Sequence, residues 1–156
     1  MKKLKLYLET SVWNFYFADD APEKRDVTHQ FFDQISQGTY EIFISDIVLA
    51  EIAKASETVQ EQLISLIQTY HPTELAVNDE IVALAHAYLS EGILPPKSIE
   101  DATHAAMATY FSLDALISWN LKHLANFRRM KRINGVNLTQ GYSTLDLITP
   151  MEVSNE

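Results

Sequence analysis

The sequence predicts an α/β fold of three layers, α/β/α, built on a five-stranded and mostly parallel sheet. Three observations predict it. Short aliphatic, β-branched or aromatic runs alternate with longer segments of helical periodicity. Turn and cap residues, among them Gly38, Asn78 and Pro95-Pro96, fall between those segments. Oxygen-bearing side chains follow directly on two of the strand runs, as Glu9-Thr10-Ser11 and Asn120. That is the carboxyl edge, where doubly wound sheets hold their sites.

The elements follow in order. Leu4-Lys5-Leu6-Tyr7-Leu8 is short, apolar and bounded by polar residues, a first strand. Pro22 to Gln37 places Val27, Phe31, Phe32 and Ile35 at helical spacing, and Gly38 stops it. Glu41-Ile42-Phe43-Ile44 is the second strand, after which Ser45 or Asp46 offers a helix cap. A helix runs from Ser56 to Tyr70. Thr73 to Val77 is the third strand, and Asn78 caps a helix bearing Ile81, Leu84, Ala85 and Leu89. After the double proline, Ser98 opens another helix, with Asp101 three residues on as in a capping box. Asp114 to Trp119 is the fourth strand. Basic helical material follows, and Asp146 to Thr149 is the fifth strand, stopped by Pro150. Strands alternating with helices call for a parallel sheet covered on both faces.

The bulk numbers agree. The 156 residues suit one domain over 1–150, with a polar tail at 151–156. Apolar residues make up 47 % and charged residues 21 %, enough for a normal core. The absence of cysteine excludes a disulfide framework and a cysteine-ligated zinc site, and it fits a reducing, cytoplasmic compartment. Lys5 and Glu9 interrupt the first apolar run, so no export signal is read there. The most apolar stretch, Ile42 to Ala53, is broken by Asp46 and Glu51 and is too short for a membrane span. The net charge is −9, which disfavours broad contact with nucleic acid. Yet five of the 12 Lys and Arg residues lie between Lys122 and Arg132, so any polyanion contact should be local.

Glu9, Glu51, Asp101 and Asn120 each admit a structural reading alone. Glu9 is a strand-end carboxylate, Glu51 a helix-face residue among apolar neighbours, Asp101 a capping-box residue and Asn120 a helix cap. As a set they are more informative. Three carboxylates drawn together require cations or protons to compensate them. Oxygen ligands without cysteine suit Mg²⁺ or Mn²⁺.

The segments Tyr7 to Val12, Ser45 to Glu51, Glu100 to Ala106 and Leu116 to Asn120, in this order and at about this spacing, resemble the PIN-domain family, and within it the VapC-like toxins of prokaryotic toxin–antitoxin pairs. The resemblance covers nearly the whole chain, including Leu147 to Pro150. It implies a five-stranded parallel sheet and an acidic pocket that binds Mg²⁺ or Mn²⁺ and hydrolyses RNA. It also implies an antitoxin partner and a homodimer. Glu9, Glu51 and Asp101 fall on three of the family's acidic positions, and Thr10 or Ser11 on the hydroxyl beside the first. Two positions depart: the first is usually Asp and here is Glu9, and the fourth is often Asp and here is Asn120. Asn120 removes a negative charge, which weakens metal binding. A catalytically weakened PIN-like binding module is therefore the alternative to a ribonuclease.

In the resulting picture Glu9 and Asp101 hold the metal with help from Asn120. Glu51 holds a water or a second ion, and Thr10, Ser11 or Ser118 orients water or phosphate. Lys122, His123, Arg128, Arg129, Lys131 and Arg132 are the candidate nucleic-acid contacts, against the plainer reading of a solvated basic face. His104, one turn after Asp101, is assigned to the site or to a nucleic-acid phosphate, against a core or partner-facing histidine. Trp13, Phe15, Tyr16 and Phe17 read as core or interface aromatics. A phospho-accepting receiver domain is disfavoured because Glu9 is single and Val77 is followed by Asn78. With four glycines, at 38, 92, 135 and 141, neither a Rossmann nor a P-loop phosphate loop can be written.

Overall fold

A strand buried on both faces must be apolar throughout, and the middle of the first strand is. Leu6, Tyr7 and Leu8 have no exposed surface in the computed structural model, which describes residues 2–154. This strand, β1 (Leu4–Leu8), is the centre of the sheet. It pairs in parallel with β2 (Tyr40–Ser45) on one side and β4 (Ala115–Ile117) on the other. Leu6 lies opposite both Ile42 and Ala115. The outer strands β3 (Thr73–Leu75) and β5 (Asp146–Ile148) are also parallel, and the order is β3-β2-β1-β4-β5.

The helices α1 (Thr10–Phe15), α2 (Pro22–Ser36), α3 (Asp46–Ile52) and α4 (Glu57–Tyr70) lie in the crossovers from β1 to β3. Those from β3 to β5 carry α5 (Asp79–Ser90), a 3-10 turn at Pro96–Ser98, α6 (Ile99–Tyr110) and α7 (Phe127–Thr139), and α8 (Pro150–Ser154) closes the chain's described part. Right-handed crossovers place these two groups on opposite faces of the sheet. The packing follows: α2 meets α1 and α8, whereas α5 meets α6 and α7.

Most helix starts are where the side chains put them. Ser45 accepts from the Ile47 N–H at 3.2 Å, Asn78 from Ile81 at 2.9 Å and Asn126 from Arg129 at 2.9 Å. Four details differ from the sequence reading. Ser98 is buried at the end of the 3-10 turn and its hydroxyl makes no cap bond, so the capping box with Asp101 does not form. The third strand ends at Leu75, because the Val77 N–H donates to the Asp46 carboxylate at 3.2 Å. Pro150 ends β5 but also opens α8, where a missing N–H costs nothing, and Val153 is buried there. Lys122 and His123 precede α7 in a turn, and helix begins at Phe127. Of the segment read as a tail, Asn155 and Glu156 lie outside the described residues.

Candidate active site

The strand order reverses about β1, so the connections leaving β1 and β4 part company at their carboxyl ends and open a crevice. Glu9 is the first residue past β1 and sits at that crevice, its N–H donating to the Ile117 carbonyl at 3.1 Å. Glu9 is 5 % exposed, so its charge must be met by nearby donors. Ser11 and Ser118 both donate to Glu9 Oε1, at 2.5 and 2.6 Å. Each serine oxygen accepts a backbone N–H in turn, Trp119 to Ser11 at 2.8 Å and Asn120 to Ser118 at 2.9 Å. The chain just past β4 thus orients two hydroxyls, and the hydroxyls orient Glu9.

Glu51 comes from α3, the helix that Ser45 starts at the end of β2. Its Oε1 accepts from the Thr10 hydroxyl and bonds to His104 Nε2, each at 2.6 Å. His104 has no exposed surface, and its Nδ1 lies 2.6 Å from the Tyr7 hydroxyl, which lies 2.7 Å from the Ser45 hydroxyl. Neutral with its proton on Nε2, or protonated on both nitrogens, the ring presents Nε2–H to Glu51. Burial drives His104 towards the neutral form. The bond to Glu51 and the charges of Glu9, Glu51 and Asp101 outweigh it, and the net pKa is raised. Burial likewise opposes ionisation of Glu51, and His104 and Thr10 reverse that effect, holding its pKa below the ordinary carboxylate value. The ring's Nε2–H thus faces the carboxylates from inside the fold, and their charges favour its holding a proton.

One ligand-capable atom from each of Glu9, Glu51 and His104 lies within 4.8 Å of the others. Asp101 is outside that group. It extends from the first turn of α6 to His123, with Nδ1 to Oδ2 at 3.1 Å. The Asn120 side-chain oxygen accepts the His123 N–H at 3.0 Å, which holds the turn after β4. So Glu9 and Glu51 converge with Thr10, Ser11, Ser118 and His104, while Asp101 and Asn120 meet His123 alongside. Asp101 is still close enough to act on the charge of His104. His104 is the residue that sequence alone leaves between site and core. Its signal is its place one turn after Asp101 on the same helix face, within the Ala-rich stretch Ala102 to Ala108.

The basic residues form a separate cleft of about 680 Å³, lined by Lys122, Asn126, Phe127, Arg128, Arg129, Lys131 and Arg132. The Trp13 ring packs against Phe32 in the core with centroids 5.2 Å apart. Phe15 meets Trp119 at 5.9 Å, and the Trp119 indole N–H donates to Thr28 at 2.9 Å.

No protein-family model and no curated protein matches the chain. Among solved structures, a chain in the crystal structure of VapBC2 from Rickettsia felis, bound to a DNA fragment from their promoter, is similar at TM-score 0.56 and 18 % identity. The match covers 76 % of this chain and 90 % of that one. At that identity the likeness shows the fold, an α/β arrangement consistent with a PIN-like domain.

Proposed function

We infer that the chain is a metal-dependent endoribonuclease, the toxin of a prokaryotic type II toxin–antitoxin pair, acting in the cytoplasm. One observation carries the reading: two carboxylates and a buried histidine converge within 4.8 Å at the point where the strand order reverses. The donor set fits a hard divalent cation, Mg²⁺ or Mn²⁺, because it is dominated by carboxylate oxygen and contains no sulfur. Glu9 and Glu51 would hold the ion, with Asp101 and Asn120 completing the rim directly or through water. Ser11 and Ser118 fix Glu9, and Thr10 and His104 fix Glu51. Bound there, the ion would polarise a scissile phosphate and activate a water for attack. Lys122, Arg128, Arg129, Lys131 and Arg132 supply the positive charge that an RNA backbone needs beside an acidic site, and His123 offers a further contact from the turn. The likeness to the VapBC2 structure supports an antitoxin as a protein partner, and a homodimer is part of the same proposal.

A weakened binding module is the second reading, and Asn120 favours it: its side-chain oxygen is engaged by the His123 N–H, and no fourth carboxylate stands there. Cleavage of RNA in Mn²⁺, measured beside a Glu51→Gln variant, separates the two. The nuclease reading predicts cleavage by the parent and none above background by the variant. Binding without cleavage by the parent selects the second.

A further inference from the structure

Phe127 stands two-thirds in solvent, at 67 % exposure the most open large apolar side chain among the described residues. It opens α7 and shares the basic cleft with five cations. Among the described residues none of those five forms an ion pair with a carboxylate, although the chain has 21 Asp and Glu residues. The cleft therefore keeps a positive field on a molecule of net charge −9.

Its geometry is set. The Asn126 amide donates to the carbonyls of Leu121 and Lys122 at 2.8 and 3.0 Å, and its oxygen caps α7. The ring that follows is thus anchored to the turn carrying Lys122. Lys131, one helical turn on, holds Nζ 5.7 Å from the Phe127 centroid. The same turn reaches the carboxylate site through His123 and Asp101.

An open aromatic face ringed by unpaired cations suits a ligand that alternates flat faces with negative charges. Single-stranded nucleic acid is such a ligand. A duplex keeps its base faces in the stack, and an acidic peptide brings charge without a flat face. We propose that Phe127 is a stacking platform for one unpaired base, with the adjacent phosphates held by Lys122, Arg129 and Lys131, and that it makes the chain select single-stranded over duplex RNA. The substrate role rests on the nuclease reading, but the binding does not.

The test uses the full chain with EDTA, at low salt, and a fluorescent oligouridylate as probe. Phe127→Ala should weaken binding about 5- to 100-fold. It should leave the salt slope unchanged, whereas Lys131→Ala should reduce that slope by roughly 0.7. Phe127→Trp should retain affinity, and the new indole's fluorescence should be quenched by the oligonucleotide. Parent-like binding by both Phe127→Ala and Phe127→Leu overturns the proposal. So does equal affinity for duplex RNA, or Phe127-dependent binding of a polyglutamate peptide in place of oligouridylate, which would assign the cleft to an acidic protein. Binding that depends on Phe127 without any cleavage in Mn²⁺ rejects the nuclease reading alone. Cleavage indifferent to Phe127 rejects this proposal alone.

Discussion

Glu51 is held by two donors on one oxygen, and they are unequal. Thr10 is a hydroxyl at the start of α1, while His104 reaches Glu51 from a position with no solvent, its pKa raised against burial by that bond and by the nearby carboxylates. The nearby carboxylates favour a proton on the ring, and that strengthens its bond to Glu51. Removing it leaves Glu51 less well oriented beside Glu9. His104→Gln should therefore weaken Mn²⁺ binding by about 10- to 100-fold, the usual effect of losing a residue that orients a ligand. Calorimetry on protein whose circular dichroism matches the parent checks it. Undiminished affinity would reduce His104 to a core histidine. Ser11 and Ser118 belong to the same scale. Both spend their protons on Glu9, so their nearest role is to aim that carboxylate.

Helix starts show which local rules were legible. Asn78 and Ser45 cap as their positions suggest, since a side-chain oxygen one residue before a helix needs only its own backbone to act. Ser98 has the same chemistry but enters α6 from a 3-10 turn, with backbone φ −97° and ψ 32° in place of the extended conformation of the other caps, and its hydroxyl makes no cap bond. The short helices α1 and α8 carry too few turns for a periodic signal, so they were invisible. The convergence of Glu9 with Glu51 was legible because both follow strands at one sheet edge. The separation of Asp101 towards His123 was not, because it depends on how the turn after β4 folds. Asn126 ties that turn to α7 by three hydrogen bonds, more than any cap residue would imply from sequence. Asn126→Ala should cost about 0.5–2 kcal/mol in urea unfolding. It should also loosen the basic cleft, seen as faster amide exchange over residues 121–126. Unchanged exchange there would mean that the turn is held from elsewhere.

At the scale of the whole molecule, burial shapes how the fold responds to pH. Burial is the main reason that the Tyr88 phenol is pushed well above its ordinary value, outweighing its bonds to Thr109 and Asn137. Tyr7 is raised for the same reason, and the neighbouring carboxylates add to the effect. A raised folded-state value means that the stabilisation is complete below the unfolded phenol's value of about 10 and is lost as pH rises past it. Absorbance titration should show Tyr7 and Tyr88 ionising only as the chain unfolds. Titration of all seven tyrosines near pH 10 with circular dichroism intact would contradict their burial.

The same whole-molecule view explains why an acidic chain presents an acidic crevice beside a basic cleft. The switch point gathers carboxylates after β1 and β2, while the turn after β4 and the first turns of α7 carry the cations. The proposed function requires a divalent ion between Glu9 and Glu51. Anomalous diffraction from crystals soaked in Mn²⁺ tests it most directly. A peak coordinated by oxygens of both glutamates, next to His104 and lost in Glu51→Gln, is expected. No peak at that crevice, or a peak that leaves both glutamates uncoordinated, would contradict it.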